Sequence, residues 1–140
     1  MPHSNASLAH GALALTTGAL ACFAPATLKQ VLAVTLGAVG LATPPWLASA
    51  SAPMLAAAGL FLATLGVKDC HVGVAWARAP QALLCSEGTI AMLAAGAGFA
   101  LGDAAFYVFA ALPTLFSFWA FAETLRQQPK PADAAKKRSL

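Results

Sequence analysis

Charged residues are scarce in this chain, where five acids and eight bases among 140 residues give a charged fraction of 9%. A soluble domain carries about 25% charged residues, because water must wet its surface. Apolar residues instead make up 59% of the chain. The sequence therefore predicts one integral membrane domain, with most of its surface facing lipid, and excludes an ordinary soluble domain.

Signatures of metal, cofactor and nucleic-acid binding are also missing. Cys22, Cys70 and Cys85 are widely spaced and form no CxxC or Cys/His pattern, which predicts buried free thiols. The chain has no glycine-rich phosphate loop. Basic and aromatic residues do not interleave on one face, as they do in nucleic-acid-binding proteins. We therefore expect no cofactor, no metal and no nucleic-acid partner.

Four apolar segments are long enough to cross a bilayer, which takes about 20 helical residues. They cover residues 8–24, 52–77, 81–102 and 104–125. A shorter apolar stretch at 31–42 predicts an interfacial or re-entrant helix, with a thin fifth span as the alternative. The predicted fold class is all-α: a bundle of four transmembrane helices plus one short helix within residues 1–125, followed by a basic tail at 126–140.

Basic residues set the expected orientation. The bases that decide the orientation are Arg78, after the second span, and Lys130, Lys136, Lys137 and Arg138 in the tail. In a four-span topology they share one side, and the positive-inside rule places that side and both termini in the cytosol. Asn5, in an Asn-Ala-Ser sequon, would then stay unglycosylated. The final Lys-Arg-Ser-Leu resembles a dilysine-type retrieval signal, which predicts the endoplasmic reticulum.

Small residues recur at intervals of seven in three of the four spans. Seven residues make two helical turns, so these residues share one face, and small side chains let membrane helices pack closely. We expect these faces to form the interior of the bundle. The residues are Gly11 and Gly18 in the first span, Gly59, Gly66 and Gly73 in the second, and Gly88, Ala95 and Gly102 in the third.

Ionisable residues within the spans are the candidates for function, because a charged group in a membrane helix costs at least about 2.5–3.5 kcal/mol. Asp69 lies on the glycine face of the second span, while Lys68 and His71 share a neighbouring face. Asp69 is nine residues before Arg78 and Glu87 is nine after it. The two carboxyls are therefore expected at the same depth, about 13 Å from the turn.

Three interpretations of this cluster stay open. In the structural one, Lys68 pairs with Asp69 or Glu87 and locks two helices together. In the functional one, Asp69, His71 and Glu87 line a polar pocket, where two close carboxyls share a proton and act as acid and base. A proton or ion path is a third, minor interpretation.

Other polar residues are weaker candidates. Asp103, directly after Gly102, is either an N-cap of the fourth helix or a second polar group at the far mouth of the bundle. His3 and His10 are interpreted as incidental.

Two short motifs resemble those of a family of small four-helix membrane proteins in bacteria and fungi. The stretch 65–73, LGVKDCHVG, is similar to the family motif G-V-[RK]-D-x-x-x-G, and the Gly-Asp at 102–103 is similar to its second landmark. The resemblance covers about residues 8–125 and gives most weight to Lys68, Asp69 and Asp103. Lys68 stands where the family usually has Arg, and Lys cannot grip a carboxylate at two points.

The family is described mainly as a domain of unknown function, and some fungal members are described as hydrolases that open epoxides in polyketide or terpenoid biosynthesis. The resemblance therefore implies a cofactor-free membrane enzyme of secondary-metabolite biosynthesis, acting by epoxide hydrolysis or cyclisation. Candidate acids and bases are Asp69, Glu87 and Asp103, with Lys68 stabilising negative charge and His71 relaying protons.

The expected partners are an apolar small-molecule substrate and the lipid bilayer, and a homo-oligomer or association with pathway enzymes is left open. The alternative function is a non-catalytic accessory or scaffold subunit of a biosynthetic pathway, in which the charges pair between helices.

Overall fold

The structure is a computed structural model that describes residues 4–75 and 79–127, and all the regular structure in these ranges is helical. The helices are α1 (Asn5–Phe23), α2 (Pro25–Ala38), α3 (Pro45–Ala48), α4 (Ala52–Ala75), α5 (Ala79–Leu101) and α6 (Ala105–Gln127). Four of them, α1, α4, α5 and α6, are long and apolar enough to cross a membrane. The predicted all-α membrane bundle is confirmed, and the chain is a multi-pass membrane protein. Arg78 and the basic tail from residue 128 onward lie outside the described residues.

The short helix begins earlier than the predicted residue 31, because Pro25 separates it from α1. A proline ring collides with the carbonyl four residues earlier and has no amide hydrogen to donate. The first helix therefore ends at Phe23, and Ala24 takes a non-helical φ of −142°. Proline suits the first turn of a new helix, so α2 starts at once and runs for 14 residues. At about 1.5 Å per residue it is too short to span roughly 30 Å of hydrocarbon.

Helices α2 and α3 cover one end of the bundle, called here the turn end because it also holds the α5–α6 turn at 102–104. Leu36 of α2 and Leu47 of α3 are buried together against Ala105, the first residue of α6. The Lys29 ammonium donates to the carbonyl of Ala48 at 2.9 Å. The opposite end, where α1 begins and α6 ends, is called the tail end.

The long helices form two antiparallel pairs, α1 with α4 and α5 with α6, and contacts between the pairs are fewer than within them. Large apolar side chains cover the outside, with Phe99 85% exposed and Phe118 67% exposed. An apolar surface of this extent is unfavourable in water but matches lipid tails. The outer surface therefore fits a lipid bilayer.

Glycines bring the backbones of α1 and α4 into contact. A Cβ atom at Gly18 would lie 2.6 Å from the carbonyl oxygen of Gly59, and one at Gly66 would lie 2.7 Å from the carbonyl oxygen of Gly11. Carbon atoms do not approach oxygen so closely, so these positions exclude any larger side chain. The predicted glycine faces of the first two spans are thus confirmed as one close helix contact.

The corresponding prediction for the third span is wrong. Gly102 has a φ of +65° and ends α5 in the left-handed conformation, and a Cβ there would meet nothing within 4 Å. Gly88 has only ordinary contact with Ser117. The close glycine of α5 is Gly98, where a Cβ would lie 3.2 Å from the Cβ of Phe106. The seven-residue spacing in α5 therefore reflects a helix end, not a packing face.

We predict that Gly66→Ala destabilises the protein by about 1–3 kcal/mol, because the added methyl group forces α1 and α4 apart. Equilibrium unfolding of the purified protein in mixed micelles measures this free energy. Gly96→Ala is the matched control, since a Cβ at this helical position of α5 meets nothing within 4 Å. Its stability should stay unchanged or rise by up to about 1 kcal/mol. Equal losses in both variants would contradict the glycine contact.

Candidate functional site

A histidine lies between two carboxyl groups inside the bundle. His10 of α1 places Nδ1 2.8 Å from Oδ2 of Asp69 in α4. Its other ring nitrogen, Nε2, lies 3.4 Å from Oε1 of Glu87 in α5. The three side chains are 15%, 13% and 5% exposed, respectively. This cluster, His10–Asp69–Glu87, draws on three helices and is the candidate site.

The close contact of α1 with α4 sets the first half of the cluster. Because the helices are antiparallel and Gly11 faces Gly66, His10 lies at the depth of Asp69. Closely approaching backbones leave the two side chains no room to avoid each other. The hydrogen bond between them is therefore a consequence of glycine packing.

The second half of the cluster comes from the packing of α5. Ala6 of α1, Leu83 of α5 and Ala120 of α6 are buried together at the tail end. Glu87 follows Leu83 by one helical turn, so it faces the same interior. The prediction that Asp69 and Glu87 lie at equal depth is confirmed, because both reach the ring of His10.

Aromatic packing fixes the plane of the imidazole. Phe116 of α6 meets His10 edge-on, with ring centroids 5.0 Å apart and an interplanar angle of 79°. Phe116 is itself stacked on Trp119 at 6.1 Å. Edge-to-face contacts of this kind favour one ring orientation. All four long helices therefore contribute to holding His10 in place.

The hydrogen-bonding capacity of the groups limits the protonation states of the cluster. A neutral imidazole has one donor and one acceptor nitrogen, whereas an imidazolium has two donors. Nδ1 is hydrogen-bonded to Asp69, whereas Nε2 lies 3.4 Å from Glu87. Sharing of one proton between Nε2 and Glu87 has two states: an imidazolium facing a carboxylate, or a neutral imidazole facing a carboxylic acid. Both states hold the same number of protons. They differ only in whether one proton sits on Nε2 of His10 or on Glu87.

The cluster forms one end of an apolar cavity. A cavity of about 330 Å³ lies between the two helix pairs, and His10 and Glu87 contribute to its wall. Asp69 is not part of that wall and lies behind the imidazole. The remaining lining is mainly Leu13, Leu62, Leu65, Ile90, Phe109, Leu112, Pro113 and Phe116. Small-molecule sites in proteins are mostly apolar cavities of roughly 300–1,000 Å³ with a few polar groups, so this cavity suits an apolar ligand.

Two other predicted site residues lie outside the cluster. Lys68 is 59% exposed, with Nζ 3.8 Å from Oδ1 of Asp69, so it lies at the outer edge of the cluster. The predicted pairing of Lys68 with Glu87 does not occur, because Glu87 faces His10. His71 is exposed and makes no hydrogen bond with any described side chain. Asp69 points inward and His71 follows by two residues, which on a helix turns it to a different face.

Asp103 is at the turn end, far from Asp69 and Glu87, and the interpretation of Asp103 as the N-cap of the fourth helix is confirmed. Sixteen residues of α5 and its turn separate it from Glu87, which amounts to about 24 Å of helix. One carboxylate oxygen, Oδ2, accepts from Nε1 of Trp46 at 2.8 Å. The other accepts from the backbone N–H of Ala105 at 3.0 Å. Asp103 therefore caps the start of α6 and holds the α3 segment in place.

The carboxyl group of Glu123, in addition to that of Glu87, joins the two helix pairs near the tail end. Glu123 of α6 accepts hydrogen bonds from the Ser4 hydroxyl at 2.7 Å and from the backbone N–H of Ala6 at 3.0 Å. A carboxylate at a helix N-terminus also interacts favourably with the helix dipole. The pairs are thus joined by polar contacts at the level of Glu123 and at the level of His10.

His10 is the residue that sequence reasoning missed. A single histidine in an apolar segment carries no motif, and its partners lie far away in sequence. A usable signal was nevertheless present in the glycine spacing. Placing Gly11 opposite Gly66, and Gly18 opposite Gly59, in antiparallel helices brings His10 to the level of Asp69.

No protein-family model, curated protein or solved structure matches the chain. The likeness to the four-helix family therefore depends on the short motifs alone. Within residues 4–75 and 79–127, no three His, Cys, Asp or Glu side chains are arranged to hold a metal ion.

We predict an energetic coupling between His10 and Asp69 that His71 does not share. Removing either partner of a buried pair leaves the other without its contact, so the two losses should not add. A double-mutant cycle of His10→Ala and Asp69→Ala, read by equilibrium unfolding, should give a coupling of about 0.5–3 kcal/mol.

The matched cycle replaces His10→Ala with His71→Ala, which removes a histidine from the same depth on the exposed side of α4. Its coupling with Asp69→Ala should be near zero. Comparable coupling energies in the two cycles would contradict the prediction, because they would show that the coupling does not depend on the contact between α1 and α4.

Proposed function

We propose that this protein is a membrane-embedded enzyme that opens an epoxide on an apolar biosynthetic intermediate, by hydrolysis or by cyclisation. The observation that carries the proposal is the position of His10 between Asp69 and Glu87 at the wall of an otherwise apolar cavity. Epoxide opening needs an acid at the leaving oxygen and a base at the attacking oxygen. The family resemblance of the motif at 65–73 points to the same chemistry.

The proposed reaction begins with His10 as imidazolium and Glu87 as carboxylate. The Nε2 proton of His10 passes to the epoxide oxygen as its C–O bond breaks. A water oxygen, or an internal hydroxyl of the substrate, forms the new bond to that carbon and gives its proton to Glu87. The product is a diol or a cyclic ether alcohol, and the enzyme is left with neutral His10 and protonated Glu87.

The enzyme returns to its starting state when the Glu87 proton moves to Nε2 of His10. The two groups are 3.4 Å apart, which is longer than an ordinary hydrogen bond, and catalytic contacts are often long before the reacting complex forms. Asp69 has a positioning role, since its hydrogen bond to Nδ1 orients the ring and stabilises the imidazolium.

The apolar cavity wall selects the substrate class. The wall is mostly aliphatic and aromatic and has hydrogen-bonding groups at only a few points. A polar molecule would therefore lose its hydration without compensation. A hydrocarbon-rich epoxide loses nothing comparable. We therefore propose that the substrate is held in lipid and enters between the helix pairs.

The test is turnover of alkyl epoxides by the purified protein in ¹⁸O-labelled water, with the labelled diol measured by mass spectrometry. His10→Gln and Glu87→Gln should each lose about 100-fold or more in rate, because each removes a proton-transfer group. The control His71→Gln should keep full activity. Turnover that survives His10→Gln at the level of the control would refute the assignment.

The alternative is a non-catalytic accessory subunit, in which the cluster only holds helices together. The contacts of Glu123 with α1 favour it, since they join the same helix pairs without reaching the cavity. Under this alternative the wild-type protein turns over no epoxide, and His10→Gln lowers the amount of folded protein. Normal protein levels with lost turnover favour the enzyme.

We further propose that the tail end of the bundle faces the cytosol, in the endoplasmic reticulum membrane. The bases of the 78 region and of the tail support this orientation through the positive-inside rule. The site cluster would then lie closer to the cytosolic face.

Glycosylation reports the orientation. With Asn5 on the cytosolic side, an Asn5→Gln variant should migrate like the wild type on a gel. An acceptor sequon inserted beside Gly40, at the turn end, should gain a glycan on an expressed chain. A glycan on Asn5 would reverse the proposed topology.

A further inference from the structure

The cavity is organised in levels along the helices, and its polar groups are not confined to one end. His10 and Glu87 stand at the first level, near the tail end. One turn further on, the wall is apolar, formed by residues such as Leu13, Leu65 and Ile90. At the third level Thr17, Leu62 and Phe109 form the wall. His10 and Thr17 are seven residues apart, so they share one face of α1 with about 10 Å of axial separation.

Thr17 differs from the other threonines of the long helices. The hydroxyls of Thr16, Thr64, Thr89, Thr114 and Thr124 each donate to the carbonyl four residues earlier. A threonine in a membrane helix ordinarily satisfies its hydroxyl in this way. Thr17 makes no such bond, nor any other side-chain hydrogen bond within residues 4–75 and 79–127, and it lines the cavity.

An acceptor group lies at the same level of the cavity. Pro113 interrupts α6 and has no amide hydrogen, so the carbonyl of Phe109, four residues earlier, lacks its usual helical donor. That carbonyl lies on the helix face of Pro113, and both residues contribute to the cavity wall. In a membrane interior, a backbone carbonyl without a donor is tolerated where it lines a cavity.

We infer that this third level is a second polar binding point, and that the ligand is an elongated apolar molecule with two oxygen functions about 10 Å apart. One oxygen meets His10 and Glu87, and the other meets the Thr17 hydroxyl and the Phe109 carbonyl. The volume of about 330 Å³ is roughly twice that of an apolar cavity that holds benzene, which suits on the order of a dozen non-hydrogen atoms. This inference deepens the proposed function and depends on it for the role of the first level.

The test compares the binding of 1,8-octanediol and 1-octanol to the full-length protein in lipid nanodiscs, by titration calorimetry with empty discs as the blank. The diol has hydroxyls at roughly the required separation, and 1-octanol lacks the second one. Thr17→Val removes the hydroxyl at constant shape and should weaken diol binding about three- to tenfold, the usual worth of one hydrogen bond. Binding of 1-octanol should change much less.

Two further variants complete the design. Thr16→Val is the matched control, since the Thr16 hydroxyl bonds to the carbonyl of Ala12, and it should leave both affinities unchanged. Thr17→Ser keeps the hydroxyl and should restore diol binding. The inference is overturned if Thr17→Val and Thr16→Val bind the diol equally well, or if Thr17→Ser binds no better than Thr17→Val.

This design distinguishes failure of the second binding point from failure of the proposed chemistry. A selective effect of Thr17→Val on the diol, in a protein that opens no epoxide, keeps the second binding point and removes the proposed chemistry. Normal epoxide opening without that selective effect keeps the chemistry and overturns the second binding point.

Discussion

The contact between the backbones of α1 and α4 is the constraint from which the rest of the bundle follows. No hydrophobic drive brings helices together in lipid, so they associate where small residues allow close approach. Gly11, Gly18, Gly59 and Gly66 supply that approach. The register that they impose leaves His10 opposite Asp69, and the position of α5 then brings Glu87 to the other side of the ring. A polar cluster inside an apolar bundle is thus set by residues that have no polar side chain.

The two helix pairs differ in how they are held. The backbones of α1 and α4 are in direct contact. Helices α5 and α6 meet largely through side chains, with one close approach at Gly98 near their turn. Between the pairs, polar contacts at the tail end and the α2–α3 segment at the turn end leave a space in the middle. The cavity is therefore a consequence of joining two well-packed pairs at their ends.

Sequence reasoning reached the features that depend on one helix at a time. Hydrophobic length located the four long helices, glycine spacing identified the contact face of α1 and of α4, and counting from the turn gave the common depth of Asp69 and Glu87. It failed where helix rotation decides the outcome. The sequence predicts that His71 lines a pocket with Asp69 and Glu87, yet His71 is exposed on α4. Asp103 carries a carboxyl group, like Asp69 and Glu87, but it lies at the opposite end of the bundle. The spacing in α5 looked like a packing face until Gly102 proved to be a helix terminus.

The pairing of the first long helix with α4 also fixes the order of events during synthesis. The hairpin of α5 and α6 can close as soon as both segments have left the ribosome, because they are neighbours in sequence. Helix α1 is separated from its partner α4 by residues 24–51, and its histidine enters the bilayer 59 residues before Asp69. Asp69 is the first acid in the sequence, so the histidine ring has no carboxyl partner in the membrane until α4 has been inserted.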